Sequence, residues 1–187
     1  MGECNMLVGE KVRIRAIELE DLERIAEWRN TTEIMDYFYE KEPLSLEMQR
    51  RWFDGYLSRL EKEKYYLIET LCDDKPIGTI SLYNIDWRNR HCEFGRFFLC
   101  ADDLRGKGYS KEALELILDF GFNHLNMAKI YCTTYLDNHR AISLYESVGF
   151  RRDGVLRQHI FRQGKYTDLA LLSICSNECS DRKGTKR

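Results

Sequence analysis

The hydrophobic pattern changes its period once in the middle of the chain, and this change restricts the folds that the chain can adopt. Between residues 65 and 100, short runs rich in β-branched and aromatic residues are separated by polar turns, which is typical of antiparallel strands. Between 111 and 125, apolar residues instead recur every three or four positions, which predicts an amphipathic helix. A meander of strands followed by helices that alternate with strands favours an α+β fold.

The complete pattern predicts the element order β-α-α-β-β-β-α-β-α-β-β. No internal repeat is apparent, so residues 1–175 are predicted to form a single domain and 176–187 a polar C-terminal tail. Strands are expected at 11–16, 65–71, 76–83, 91–100, 129–135, 155–161 and 166–175, and helices at 20–29, 46–60, 111–125 and 138–148.

Charge and cysteine usage argue against several classes of function. The formal net charge of −2, with Lys and Arg interspersed among Asp and Glu, gives no attraction to nucleic acid. Neither a signal peptide nor a long apolar run is recognisable, so a cytoplasmic protein that does not bind membranes is expected. The seven cysteines contain no C-x-x-C pair, which argues against structural zinc and disulfides.

A pair of glycines lies between a predicted strand and a predicted helix, in the loop 105–110. Gly106 and Gly108 lack the Cβ atoms that would hinder a tight turn or the approach of a ligand. The next helix points its free N–H groups at the loop, which favours a phosphate or pyrophosphate ligand. The Walker spacing is absent, and Lys111 replaces the third glycine of a dinucleotide fingerprint. A plain turn between strand and helix is the alternative.

A second informative segment spans residues 137–150. Asn138 is a favourable N-cap, and Tyr145 follows seven residues later, so both lie on one face of the predicted helix. That face presents an amide near one end and a phenol two turns further on. The alternative is that Asn138 only caps the helix and that Tyr145 only packs in the core.

Both segments resemble the coenzyme-binding motifs of the GNAT superfamily of acetyltransferases. The loop resembles the motif R/Q-x-x-G-x-G/A, with Ser110 where the family usually has Gly or Ala. The resemblance covers residues 7–175 and implies a central mixed, mostly antiparallel sheet of six to seven strands flanked by about four helices. The second segment is similar to N-x-x-A-x-x-x-Y-x-x-x-G-F, matched at Asn138, Ala141, Tyr145, Gly149 and Phe150.

The resemblance also implies an acetyl-coenzyme A cosubstrate, no metal, and roles for individual residues. Tyr145 is expected to be the general acid that protonates the coenzyme A thiolate. Glu93 is the candidate general base, with simple pairing to a surface cation as the alternative. Its strand is expected to splay from the next strand, and Gly95 predicts a bulge or a close backbone approach. The expected cofactor-binding residues are Phe97, Phe98, Leu99, Arg105, Gly106, Lys107, Gly108, Tyr109, Ser110 and Asn138.

The resemblance is weaker in the half of the fold that is expected to bind the acceptor amine. Arg29 and Asn30, followed by an aromatic segment that begins at Tyr37, resemble the N-terminal region of RimJ/RimL-like, amino-sugar-nucleotide and spermidine acetyltransferases. These three residues are the candidate substrate-binding residues, and the expected acceptor is a small primary amine such as an amino sugar or a polyamine. A protein N-terminus, a non-catalytic acyl-coenzyme A sensor and a generic phosphate-binding domain are the alternatives. Dimers are common in the family, which leaves a homodimer open.

Overall fold

The computed structural model describes residues 7–36, 38–39, 42–100 and 102–178. Eight strands in this part of the chain form one sheet in the order β1-β2-β3-β4-β5-β6-β8-β7. The strands are β1 (Leu7–Val8), β2 (Val12–Ala16), β3 (Lys64–Thr70), β4 (Pro76–Asp86), β5 (His91–Leu99), β6 (Lys129–Tyr135), β7 (Arg151–Arg162) and β8 (Lys165–Cys175). The α-helices are α1 (Leu22–Arg29), α2 (Thr32–Met35), α3 (Leu46–Leu57), α4 (Tyr109–Asp119) and α5 (His139–Ser147), and α4 continues as a π-helical turn over Phe120–His124.

Helices cover both faces of the central strands, because consecutive side chains of a strand point to opposite faces of the sheet. In β3, Ile68 packs into the main hydrophobic core, which also contains Ile117 of α4. The neighbouring Leu67 packs into a smaller core together with Ile25 of α1 and Phe53 of α3. The central part of the sheet therefore forms the middle of three layers.

The connection through α4 decides the direction of one pair of strands. Neighbouring strands are antiparallel except β5 and β6, which are parallel, as expected when a helix crosses over between two strands. Their pairing ends at Glu93 and Tyr131, although β5 continues to Leu99 and β6 to Tyr135. The two strands therefore diverge, which confirms the predicted splay and leaves a gap in the sheet.

The predicted order of the elements is confirmed, and the structure adds short elements to it. β1 has two residues and α2 has four, which is too short to produce a recognisable period. β7 is longer than the predicted strand at 155–161. Most of its side chains are exposed and do not alternate between apolar and polar, so the sequence pattern did not mark its ends. Of the predicted C-terminal tail, residues 179–187 lie outside the described residues.

A buried ion pair near the start of the domain leads to a prediction about stability. Asp21 is 4% exposed and accepts hydrogen bonds from Arg15 at 2.7 and 2.9 Å and from the N–H of Glu18 at 2.9 Å. Burial alone would raise the pKa of the Asp21 carboxyl, but the hydrogen bonds from Arg15 and Glu18 outweigh burial and lower it. A carboxyl whose pKa is lowered on folding stabilises the fold above its ordinary pKa, and this contribution is lost as the pH falls through the folded-state pKa.

We therefore expect Asp21→Asn to lower the free energy of unfolding by about 3 kcal/mol near neutral pH, because Arg15 loses a charged partner in a buried site. The difference from the wild type should shrink as the pH falls below the ordinary carboxyl pKa of 3.8. Urea unfolding on both sides of that pH measures it, and Asp54→Asn, at an exposed position of α3, is the matched control. A difference that does not change with pH would contradict the assignment.

Candidate active site

The gap between β5 and β6 opens into a cleft of about 570 Å³. One end, the loop end, is lined by Arg105, Ser110 and Asn138 at the starts of α4 and α5. The opposite end, here called the aromatic end, lies beside α1, α2 and α3. It is lined by Phe38, Tyr39, Trp52, Tyr65 and Tyr83.

The glycine loop has a backbone shape that suits an anion. Gly106 and Gly108 have φ angles of 74° and 89°, a left-handed conformation that glycine adopts at little cost. Gly108 is the N-cap of α4, which begins at Tyr109, so the free N–H groups of the first helical turn lie beside the loop. Of the six predicted loop residues, Arg105 and Ser110 line the cleft and the other four do not.

Lys11 contacts this loop, and the sequence analysis missed it. Its ammonium group donates a hydrogen bond to the carbonyl of Lys107 at 2.7 Å and lies 5.9 Å from the ring centroid of Tyr109. Its backbone N–H donates to the carboxylate of Glu112, in the first turn of α4, at 2.7 Å. These bonds attach the β1–β2 turn to the loop and add a positive charge beside it. Because Lys11 and Lys107 are 96 residues apart, no local pattern could have indicated the contact.

A bulge in β5 shapes one wall of the cleft. The register between β4 and β5 shifts between Thr79 and Ser81, and Arg96 has a φ angle of 48°. The hydroxyls of Ser81 and Thr79 donate to the carbonyls of Gly95 and Arg96 at 2.8 and 2.9 Å. The predicted irregularity near Gly95 is confirmed. The residues that follow the bulge and line the cleft are Phe97, Phe98 and Leu99.

Asn138 and Tyr145 both line the cleft from α5. The side chain of Asn138 accepts a hydrogen bond from the N–H of Ala141 at 3.1 Å, so it caps the helix as one interpretation held. Tyr145 is 9% exposed, and its ring lies 5.5 Å from that of Phe94 and 5.8 Å from that of Phe150. Both residues therefore have a packing or capping role and also face the cleft.

The environment of Tyr145 keeps its phenol protonated. Burial raises the pKa of the Tyr145 hydroxyl far above its ordinary value of 10.0, and the nearby Cys132 and Tyr39 raise it further. A phenol with a raised pKa carries its proton throughout the neutral range and can donate it to a group that becomes negatively charged.

Glu93 is not among the residues that line the cleft, but its cross-strand neighbour Tyr83 is. The Glu93 carboxylate accepts a hydrogen bond from the amide of Asn84 at 2.9 Å. Burial, together with the charge of Glu93 and a hydrogen bond to it, raises the pKa of the Tyr83 hydroxyl. A Cβ atom at Gly95 would lie 2.9 Å from that hydroxyl, so glycine at this position leaves room for Tyr83. The sequence analysis missed Tyr83, because the alternation of residues along a strand indicates which face of the sheet a side chain occupies but not which residue of the neighbouring strand lies beside it.

The three candidate substrate-binding residues have different positions. Arg29 lines the cleft, with its guanidinium group 4.8 Å from the ring centroid of Phe38. Asn30 does not line it, since its amide donates to the carbonyl of Leu44 at 2.8 Å and accepts from the N–H of Leu44 at 2.7 Å. Tyr37 lies outside the described residues. Asn30 is thus placed to join the end of α1 to the segment before α3.

A family model described as an acetyltransferase (GNAT) domain matches residues 11–151. The matched region contains the glycine loop, the diverging strands and the whole of α5. The chain belongs to the GNAT acetyltransferases. The predicted family and fold class of this GNAT protein are confirmed.

Relatives of this GNAT protein include enzymes that act on a polyamine. Spermidine N(1)-acetyltransferase of Escherichia coli (strain K12) is 27% identical over 170 residues, which is 91% of this chain and 89% of that protein. The prophage-derived uncharacterized N-acetyltransferase YokL of Bacillus subtilis (strain 168) is 31% identical, covering 86% and 87%. The crystal structure of a Vibrio cholerae spermidine N-acetyltransferase in complex with CoA and spermine superposes with a TM-score of 0.83 at 28% identity, covering 92% and 99%.

These matches confirm that this GNAT protein is an N-acetyltransferase that uses acetyl-coenzyme A. Among the residues that the structure describes, no group of three or more His, Cys, Asp and Glu side chains is arranged to hold a metal ion. Within the same residues, none of the helices combines the length and apolar character needed to cross a membrane.

Proposed function

We propose that the protein acetylates the primary amine of a small molecule by direct transfer from acetyl-coenzyme A, with Tyr145 as general acid and Glu93 as general base. The observation that carries the proposal is the cleft between β5 and β6, since it joins an anion-binding loop to Tyr145 and continues to a separate aromatic end. Two substrates can therefore enter from opposite ends and meet beside Tyr145.

The loop end fits the phosphates of the coenzyme. The left-handed Gly106 and Gly108 and the N-terminus of α4 provide backbone N–H groups for a pyrophosphate. Three cationic side chains lie at or beside the same end. They are Lys11, Arg105 and Arg140. The backbone of 97–99 is exposed to the cleft where β5 leaves β6, and an extended pantetheine arm can pair with it.

Tyr145 is suited to protonate the sulfur that leaves in the reaction. As the nitrogen–carbon bond forms and the carbon–sulfur bond breaks, the sulfur takes the electron pair of the broken bond and accepts the Tyr145 proton. The conjugate acid of such a thiolate has a pKa of about 8.5. The raised pKa of Tyr145 disfavours a lasting phenolate. The second proton that the amine loses therefore passes to the Tyr145 oxygen and restores the phenol.

The first proton of the ammonium group leaves through Tyr83 to Glu93. Tyr83 lines the cleft and is the cross-strand neighbour of Glu93, whose charge helps to raise the pKa of the Tyr83 hydroxyl. Its hydroxyl oxygen accepts a proton from the amine while its own proton passes to the Glu93 carboxylate. The raised pKa of Tyr83 keeps this hydroxyl protonated and ready to act in both directions. Glu93 thus acts as a base without touching the acceptor.

Release of free thiol from acetyl-coenzyme A tests the proposal. Polyamines are among the first acceptors to compare, because relatives include spermidine N-acetyltransferases. Amino sugars are compared with them, because the arginines that line the aromatic end can bind a polar acceptor. Amino acids and N-terminal peptides complete the panel, and a reaction without acceptor corrects for hydrolysis. We expect saturable turnover with at least one small amine. Calorimetric binding of acetyl-coenzyme A without turnover on any acceptor would instead favour a sensor.

A further inference from the structure

The aromatic end of the cleft is rich in arginine. Arg29, Arg59 and Arg96 line it, and among the described lining residues the only carboxylate is that of Glu33. From this arrangement we infer that the acceptor is a primary amine that also carries an anionic group, a phosphate or a carboxylate, which binds to Arg29. The inference rests on the proposed function and specifies the acceptor for the same site.

Arg29 has a geometry that suits an anion. It is half-buried in the last turn of α1, and its guanidinium group stacks on Phe38 at 4.8 Å. None of the described residues forms a hydrogen bond or an ion pair with this guanidinium group. A planar group with five N–H donors, fixed by stacking, is well suited to hold a phosphate or carboxylate in two parallel hydrogen bonds.

The other two arginines share one carboxylate. Arg59 and Arg96 lie 3.0 and 2.9 Å from the two oxygens of Glu63. Arg96 also lies over the ring of Tyr83, 4.7 Å from its centroid. Glu63 therefore pairs with Arg59 and Arg96, and Arg29 is the member of the three that has no ion pair among the described residues. A polyamine would bring further positive charge against Arg29, whereas an anionic group would balance its charge.

Gln49 provides an independent indication that a ligand occupies this end. It is 2% exposed, it lines the cleft from α3, and its side-chain oxygen has no hydrogen-bond partner among the residues that the structure describes. Buried polar atoms nearly always have a partner, so this oxygen is placed to accept a hydrogen bond from the acceptor. A hydroxyl near the amine supplies that donor. An amine with both an anionic group and a hydroxyl, as in a phosphorylated amino sugar, satisfies Arg29 and Gln49 together.

Matched pairs of acceptors test the inference. Glucosamine 6-phosphate is compared with glucosamine, and 5-aminopentanoate is compared with putrescine, at constant pH and ionic strength. We expect kcat/KM to be higher by about tenfold or more for the anionic member, and the pair with the larger effect identifies phosphate or carboxylate. Turnover that favours putrescine or glucosamine overturns this inference alone. Absence of turnover with every amine overturns the proposed function, and this inference with it.

Two variants assign the effect to residues. Arg29→Met should lower kcat/KM for the anionic acceptors by about 10- to 100-fold more than for their neutral or cationic partners, without raising the KM for acetyl-coenzyme A. Gln49→Leu should raise the midpoint of thermal unfolding and yet lower kcat/KM, because it removes a buried unpaired oxygen that the acceptor uses. Arg50→Met, at an exposed position of α3, is the control. An equal loss for all acceptors in Arg29→Met would mean a purely structural role.

Discussion

Replacing Tyr145 by phenylalanine should lower kcat by about 10²- to 10⁴-fold, the range of general acid catalysis, while the affinity for acetyl-coenzyme A stays nearly constant. The phenylalanine ring keeps the contacts with Phe94 and Phe150, so the fold and the cleft wall are retained. Only the proton for the leaving sulfur is lost. Thiol-release kinetics and calorimetric titration with acetyl-coenzyme A measure the two quantities separately.

The control for this prediction is Tyr166→Phe in β8. Tyr166 is 66% exposed and lies outside the cleft lining, so the same loss of a hydroxyl should leave kcat as in the wild type. If Tyr145→Phe also retained the wild-type kcat, Tyr145 would have no part in the chemistry. If the variant instead lost most of its affinity for acetyl-coenzyme A, Tyr145 would be a coenzyme-binding residue and not the general acid.

The second large effect is expected for the base. Glu93→Gln and Tyr83→Phe should each lower kcat/KM by about 100-fold near neutral pH, because the acceptor ammonium can no longer pass its proton to a carboxylate. The loss should shrink at alkaline pH. An amine with a pKa of about 10 deprotonates there without a catalyst. A pH profile of kcat/KM for wild type and variants tests this.

The double variant distinguishes a relay from two separate roles. If Tyr83 passes the proton to Glu93, removing both groups should cost about as much as removing either one. Losses that multiply in the double variant would mean independent roles and would refute the relay. Glu115→Gln, which changes an exposed carboxylate of α4, is the control and should leave the profile unaltered.

The parts of the site that the sequence revealed are local ones. In the glycine loop, two residues without Cβ atoms and the following helix start predict an anion site within a few positions, and the left-handed φ angles of Gly106 and Gly108 fit the tight turn expected there. Asn138 and Tyr145 lie on one face because the helical repeat places residues seven apart above each other. Their common exposure to the cleft follows from that repeat.

Sequence also indicated an irregularity at Gly95 but not its consequence. The bulge shifts the register of β5 against β4 and turns the Arg96 side chain towards Tyr83 and Glu63. Glu63 precedes β3, while Tyr83 lies in β4. The grouping therefore depends on which strands pair and in which register, and alternation along a single strand contains neither piece of information.

By itself, the order of periodic segments and two short motifs determined the family, the element order and the residues whose roles depend on one turn or one helix. Only the tertiary structure decided that Glu93 lies beside Tyr83 and outside the cleft lining, that Lys11 reaches the loop, and that Asn30 binds Leu44. It also decided that the side-chain oxygen of the buried Gln49 has no partner among the described residues. The physical reason is range. Backbone shape and helical facing arise within a few residues, whereas the charges and hydrogen-bond partners of the cleft come from strands and helices that are distant in sequence and meet only after folding.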